Sequence, residues 1–117
     1  MSEHNHQVAL IEWANLNLGR YPELKWLFAI PNGGLRNKAQ AGKLKAEGVK
    51  AGVADLCLPV PRRGYNGLWI ELKFGDNQLT KDQNEFHKFI LANGGCSVVY
   101  WDWQDAVRGI EWYMSMI

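Results

Sequence analysis

Two stretches of the chain alternate apolar and polar residues with a period of two, and the rest of the sequence reads as their support. In Leu68-Trp69-Ile70-Glu71-Leu72-Lys73, a strand turns Leu68, Ile70 and Leu72 to one face and Trp69, Glu71 and Lys73 to the other. Asp55-Leu56-Cys57-Leu58-Pro59-Val60 repeats the pattern, with Leu56, Leu58 and Val60 as its apolar set. Between them, Pro61-Arg62-Arg63-Gly64-Tyr65-Asn66-Gly67 is dense in turn residues, so the two runs are predicted to form a hairpin. A hairpin folded about Arg63 and Gly64 sets Asp55 opposite Glu71 on one face, with Cβ atoms about 5 Å apart.

Helical periods surround this hairpin. The segment from about Ser2 to Leu18 is predicted helical, with Ser2 as N-cap and Glu3, Gln7, Leu10, Ile11, Ala14 and Leu18 on one stripe. Glu12 falls off that stripe, towards solvent. His4 and His6, two positions apart, diverge on a helix and are expected to be exposed. Trp26 to Ile30 is a short apolar run before Pro31 and reads as a strand. Asn32-Gly33-Gly34 is a turn that either redirects the chain or cups a phosphate with its N–H groups. Asn37 caps a helix running to about Gly48, with Gln40 in capping-box position; Thr80 and Gln83 open another, closed by Gly94-Gly95. On that helix Gln83, Phe86, His87 and Ile90 share a face. Ser97 to Trp101 reads as a buried strand. Asp102 then caps a last helix, whose apolar stripe is Ala106, Val107, Ile110, Tyr113, Met114 and Ile117. The order of elements predicts an α/β fold: a mixed central sheet flanked by helices, with the hairpin carboxylates at one edge.

Composition narrows the class. At 117 residues and 47% apolar content, the chain reads as a single domain, 1–117, with one core. A net charge of +1 excludes a uniformly basic coat, so contact with a polyanion must come from local clustering. Arg36, Lys38, Lys43, Lys45 and Lys50 supply that cluster, opposed only by Glu47; Arg62 and Arg63 at the hairpin tip extend it. Cys57 and Cys96 fit no zinc spacing, and a reduced cytoplasmic protein is the economical reading. A secretory signal and an apolar run of about 18 residues are both missing, which argues against export and a membrane span. Trp101, Trp103, Trp112 and Tyr113 crowd the C-terminal quarter, more large rings than one helix stripe buries; a homodimer interface is expected there.

The chemistry turns on Asp55, Glu71 and Lys73. One reading is a surface hairpin carrying a cross-strand Glu–Lys pair. The other is a magnesium site, because two carboxylates at that separation share one hard cation and Lys73 stands ready for a phosphate.

Asp55 followed by Glu71-Leu72-Lys73 resembles the D…(D/E)-X-K signature of the PD-(D/E)XK nuclease superfamily. More narrowly, Ala29-Ile30-Pro31-Asn32-Gly33-Gly34, Gly48-Val49-Lys50-Ala51-Gly52-Val53-Ala54-Asp55, Ile70-Glu71-Leu72-Lys73 and Gln83 are similar to the virus-type replication-repair nuclease (VRR-NUC) domain. The likeness spans nearly the whole chain. Ala54 departs from it, standing where the family has a proline that is not a ligand. The resemblance implies a restriction-endonuclease-like core and a Mg²⁺- or Mn²⁺-dependent deoxyribonuclease. Asp55 and Glu71 would hold the metal with the Leu72 carbonyl and a first-helix glutamate, for which helical phase favours Glu3 over Glu12. The rival view of Glu3 is a first-turn acid favoured by the helix dipole. Lys73 would position the attacking water. Gln83 would lie near the active site, a task that competes with its capping role for one amide. Asn32 and the basic cluster would follow DNA, and stand-alone members imply a branched, Holliday-junction-like substrate. Two rivals remain: a non-catalytic nucleic-acid-binding module on the same fold, and a small interaction domain that binds no metal.

Overall fold

The computed structural model describes residues 1–31 and 38–115. In order, the chain forms α1 (Glu3–Leu16), a 3₁₀ turn (Pro22–Trp26), β1 (Phe28–Ala29), α2 (Lys38–Ala46), β2 (Leu56–Leu58), β3 (Leu68–Leu72), α3 (Lys81–Ala92), β4 (Cys96–Tyr100) and α4 (Trp103–Met114). The strands make one mixed sheet in the order β1-β2-β3-β4, antiparallel except for the parallel pair β3 and β4. A parallel pair needs a crossover, and α3 supplies it. This is the predicted α/β architecture.

The alternation of the hairpin decides the layers. Leu56, Leu58, Leu68, Ile70 and Leu72, none more than 2% exposed, share one face and pack with Leu10 and Ala14 of α1 and Ala106 and Ile110 of α4. Residue Trp69 pairs with Ser97, whose hydroxyl meets His87 Nδ1 of α3 at 2.8 Å, so α3 covers the opposite face. Two helices thus cover one face of the sheet and one helix the other.

Register follows from the ladder. Leu56 faces Ile70 and Leu58 faces Leu68, which brings Asp55 opposite Glu71, as the alternation predicts. At the tip Arg62 faces Tyr65, so the turn has two central residues, Arg63 (φ 52°) and Gly64 (φ 85°). Positive φ at both is the backbone twist that suits a right-handed hairpin. The tip is offset by one residue from the ladder, which the extra residue on the 59–61 side absorbs as a bulge. Arg63 tolerates the left-handed region because its side chain is held: Nε donates to the Trp112 carbonyl and Nη2 to Ser115 Oγ, both at 2.7 Å, and the guanidinium lies 4.3 Å from the Trp112 ring centre.

Several expectations need correction. The first helix ends at Leu16 rather than Leu18. The strand expected from Trp26 to Ile30 is only two residues long, because Pro22 starts a 3₁₀ turn that consumes Trp26. The last strand lies at the sheet's edge, and only Cys96 of its five residues is buried. His6 is buried, not exposed: its Nδ1 accepts from the Trp103 backbone at 3.2 Å and its ring lies against Phe74. Tyr113 belongs to the core, fully buried, and its hydroxyl donates to the Val60 carbonyl at 2.6 Å. Arg62 pairs with Glu23 at 2.7 Å, so both hairpin-tip arginines brace the fold rather than extend a basic patch. Asn32, Gly33, Gly34, Arg36, Asn37 and Ile117, named above as turn, cap or contact residues, lie outside the described residues.

Candidate active site

The site begins where the β2–β3 ladder stops. Strand β2 starts at Leu56, and the next backbone donor of β3, the Leu72 N–H, is taken at 2.8 Å by Asp55 Oδ2. A side chain thus replaces the missing strand carbonyl and is fixed in doing so. The N–H and C=O of one strand residue point to the same side, so the Leu72 carbonyl also looks towards Asp55. On the other side, Lys73 N–H is bonded to the Tyr100 carbonyl of β4 at 2.9 Å.

Glu71 and Lys73 are not surface residues. They are 7% and 6% exposed. Burying a carboxylate and an ammonium is costly unless each is satisfied, which the surface-pair reading did not require. The Glu71 carboxyl is pushed up to about 9, mostly by burial and then by the negative charge and hydrogen bonding of the neighbouring Asp55. The Lys73 ammonium pulls the other way, and Glu3 adds a small upward push.

Gln83 spans the two buried charges. Its Oε1 accepts from Lys73 Nζ at 3.1 Å and from the Thr80 backbone N–H at 2.9 Å, while its Nε2 donates to Glu71 Oε2 at 3.3 Å. Thr80 Oγ1 returns the capping bond from the Gln83 N–H at 3.2 Å. The two tasks set against each other in the sequence are therefore compatible. One end of the amide serves both the cap and the lysine, leaving the other for the glutamate.

Gly52 brings the chain before Asp55 onto the same helix. Its φ is +87°, and a Cβ there would stand 2.5 Å from the Asp82 backbone C and O atoms. Only glycine fits both the conformation and the approach. The motif glycine thus locks the segment leading to Asp55 against the first turn of α3, the turn that carries Gln83.

Glu3 is partly buried and Glu12 is exposed, in line with their helical phase. Glu3 Oε2 accepts from Asn77 Nδ2 at 3.4 Å. Among the described residues, no group of three His, Cys, Asp or Glu side chains is close enough to hold a metal ion. The structure therefore assembles Asp55, Glu71, Lys73 and Gln83 and leaves Glu3 in an outer position.

Three helix N-termini gather at this end of the sheet. That of α3 reaches Glu71 through Gln83; that of α4 meets α1 through the Trp103–His6 bond; that of α1 meets the 74–79 loop through Asn77. Their partial positive charges favour an anion here. Sequence could propose each cap but not that they share one end.

Lys38, Lys43 and Lys45 are exposed on α2, which has no buried residue, and Lys50 is exposed just beyond. The excursion is tethered at both ends beside the site. Ile30 N–H donates to the Asp55 carbonyl at 2.8 Å before it, and Gly52 meets Asp82 after it.

No family model matches the sequence, and no curated protein matches it. A solved structure described as "VRR_NUC domain protein" does match, with a TM-score of 0.82 and 27% identity, covering 97% of this chain and 88% of that one. That likeness bears out the resemblance carried by the Asp55, Glu71-Leu72-Lys73 and Gln83 motifs, and with it the nuclease-like α/β fold.

Proposed function

With a VRR_NUC-type nuclease fold as the premise, we propose that this chain is a Mg²⁺- or Mn²⁺-dependent DNA endonuclease acting on branched DNA in replication, repair or recombination. The observation that carries the reading is a buried carboxyl, Glu71, with a second carboxylate, Asp55, directly opposite it. Glu71 is only 7% exposed, and burial together with the neighbouring Asp55 charge raises its carboxyl to about 9. Such a pair is unfavourable for the fold by itself. An oxygen-only donor set fits a hard divalent cation.

Asp55, Glu71 and the Leu72 carbonyl would hold the ion, with Glu3 adding negative charge from further out. When bound, such an ion acidifies water and screens charge on phosphate oxygens. The protein's own contribution is order. Leu72 N–H fixes one Asp55 oxygen, on the residue that stands opposite Glu71. Gln83 clamps the Lys73 ammonium, so that Lys73 meets the attacking water or a phosphate oxygen without searching rotamers. Lys38, Lys43, Lys45 and Lys50 would follow the DNA backbone by charge alone.

A single catalytic domain, a cytoplasmic location and a homodimer complete the reading. Trp101 and Trp112 line an open cleft of about 470 Å³ with Tyr100, Asp105 and Arg108, and both rings are partly exposed. A two-fold dimer through this region would offer two sites to a two-fold junction. None of the helices among the described residues is long and apolar enough to cross a membrane.

The test is incubation with junction, flap, single-strand and duplex DNA, with and without Mg²⁺ or Mn²⁺. Cleavage only with metal, strongest on the branched forms, supports the proposal. Cleavage without metal, or of no substrate, removes it. Light scattering reads the dimer separately.

A further inference from the structure

Edge strand β1 and the 3₁₀ turn before it carry aromatic rings that the core does not use. Phe28 of β1 pairs with Cys57, which pairs with Trp69, so Phe28 lies on the sheet face that bears Asp55 and Glu71. Ile30, two residues on, is bonded to Asp55, which places Phe28 about 7 Å along the strand from the carboxylate row. Phe28 is 48% exposed and Trp26 is 62% exposed, whereas Leu27 between them is in the core at 7%. Lys25 Nζ stands 5.3 Å from the Trp26 ring centre. Glu23, an acid close in sequence, is engaged by Arg62 at 2.7 Å. The chain leaving β1 leads to the lysines of α2.

Two exposed rings with the Lys25 ammonium beside one of them match a polyanion whose bases are unpaired. Every base offers a π-face to an aromatic ring, and the lysine meets the phosphate. In a duplex those faces are already stacked on each other. A protein partner would bring no reason for the lysines, so charge favours nucleic acid.

We propose that Trp26 and Phe28, with Lys25, stack unpaired bases of the DNA strand running past Asp55 and Glu71. The substrate then carries a single-stranded stretch on the β1 side of the cut. This rests on the nuclease reading and narrows its substrate class.

Binding measured in EDTA separates the two ideas, because no cleavage is needed. The probes are oligo-dT, a flapped duplex and a blunt duplex. Phe28→Ala and Trp26→Ala should each weaken oligo-dT and flap binding about tenfold and leave the blunt duplex unchanged, while Phe28→Trp retains affinity. Phe28→Leu keeps an apolar side chain on β1 without a ring. It should behave as Phe28→Ala does, which guards against a loss caused by unfolding. Equal losses on the blunt duplex, or none on any probe, overturn the platform and leave the nuclease reading intact. Wild-type protein that binds none of the three probes overturns both. A wild-type dimer that Phe28→Ala converts to monomer assigns the patch to a second copy and overturns the platform alone.

Discussion

Glu71 shows what a single residue's position can and cannot reveal. Alternation placed it opposite Asp55, and the ladder has that register. Its burial was not legible, because Gln83, which reaches it, lies on the helix α3, beyond the hairpin that the alternation describes. The consequence is measurable. With the carboxyl raised from 4.5 to about 9, the folded protein keeps a proton that the unfolded chain gives up. That contribution to stability is fully present below the lower value and is lost as pH rises through the upper one. Metal-free wild type should therefore lose stability between about pH 5 and about pH 9 relative to Glu71→Gln, which carries no such group. Urea unfolding at both pH values checks this, and parallel behaviour of the two proteins would mean that the carboxyl is solvated. Lys73→Ala should slow turnover by about a hundredfold while sparing metal affinity, if its charge acts on the transition state. Kinetics and calorimetry together read it; altered metal binding with unchanged turnover would make Lys73 a structural partner of Glu71.

At the scale of elements, helix starts were well marked. Ser2, Thr80 and Asp102 all accept the capping bonds that local sequence implies. Errors arose where distant contacts decide. The hairpin-tip arginines look like free charges in sequence, yet Arg63 is held by the end of α4, 49 residues away, at Trp112. β1 was overextended because an apolar run does not reveal a 3₁₀ turn. In the sequence Gly52 is one glycine of a motif, and its approach to Asp82 is a tertiary contact that local pattern does not carry. Gly52→Ala should destabilise the protein by about 1–3 kcal/mol, through the positive φ and the clash with Asp82. Thermal melting measures it, and an unchanged transition would mean that the contact is loose. For α2, the joint change of Lys43 and Lys45 to alanine should weaken binding to all DNA sequences alike. It should also lower the log–log salt slope by about 2. An unaltered slope would show that DNA runs elsewhere.

At the scale of the whole molecule, the architecture was legible because the period changes in a fixed order along the chain, and a parallel β3–β4 pair needs the α3 crossover between its strands. The convergence of three helix starts on one end of the sheet was not legible. It depends on packing directions that no local pattern carries. This end is where Asp55 faces the buried Glu71, and the central claim is that the two carboxylates take a divalent cation. Calorimetric titration of Mn²⁺ into metal-free protein at about pH 7, in two buffers of different ionisation enthalpy, tests it most directly. The account predicts saturable binding with release of about one proton per ion, and loss of both in the Asp55→Asn, Glu71→Gln double variant. Wild type that takes up no ion, or a double variant that binds Mn²⁺ as tightly as wild type, would contradict it.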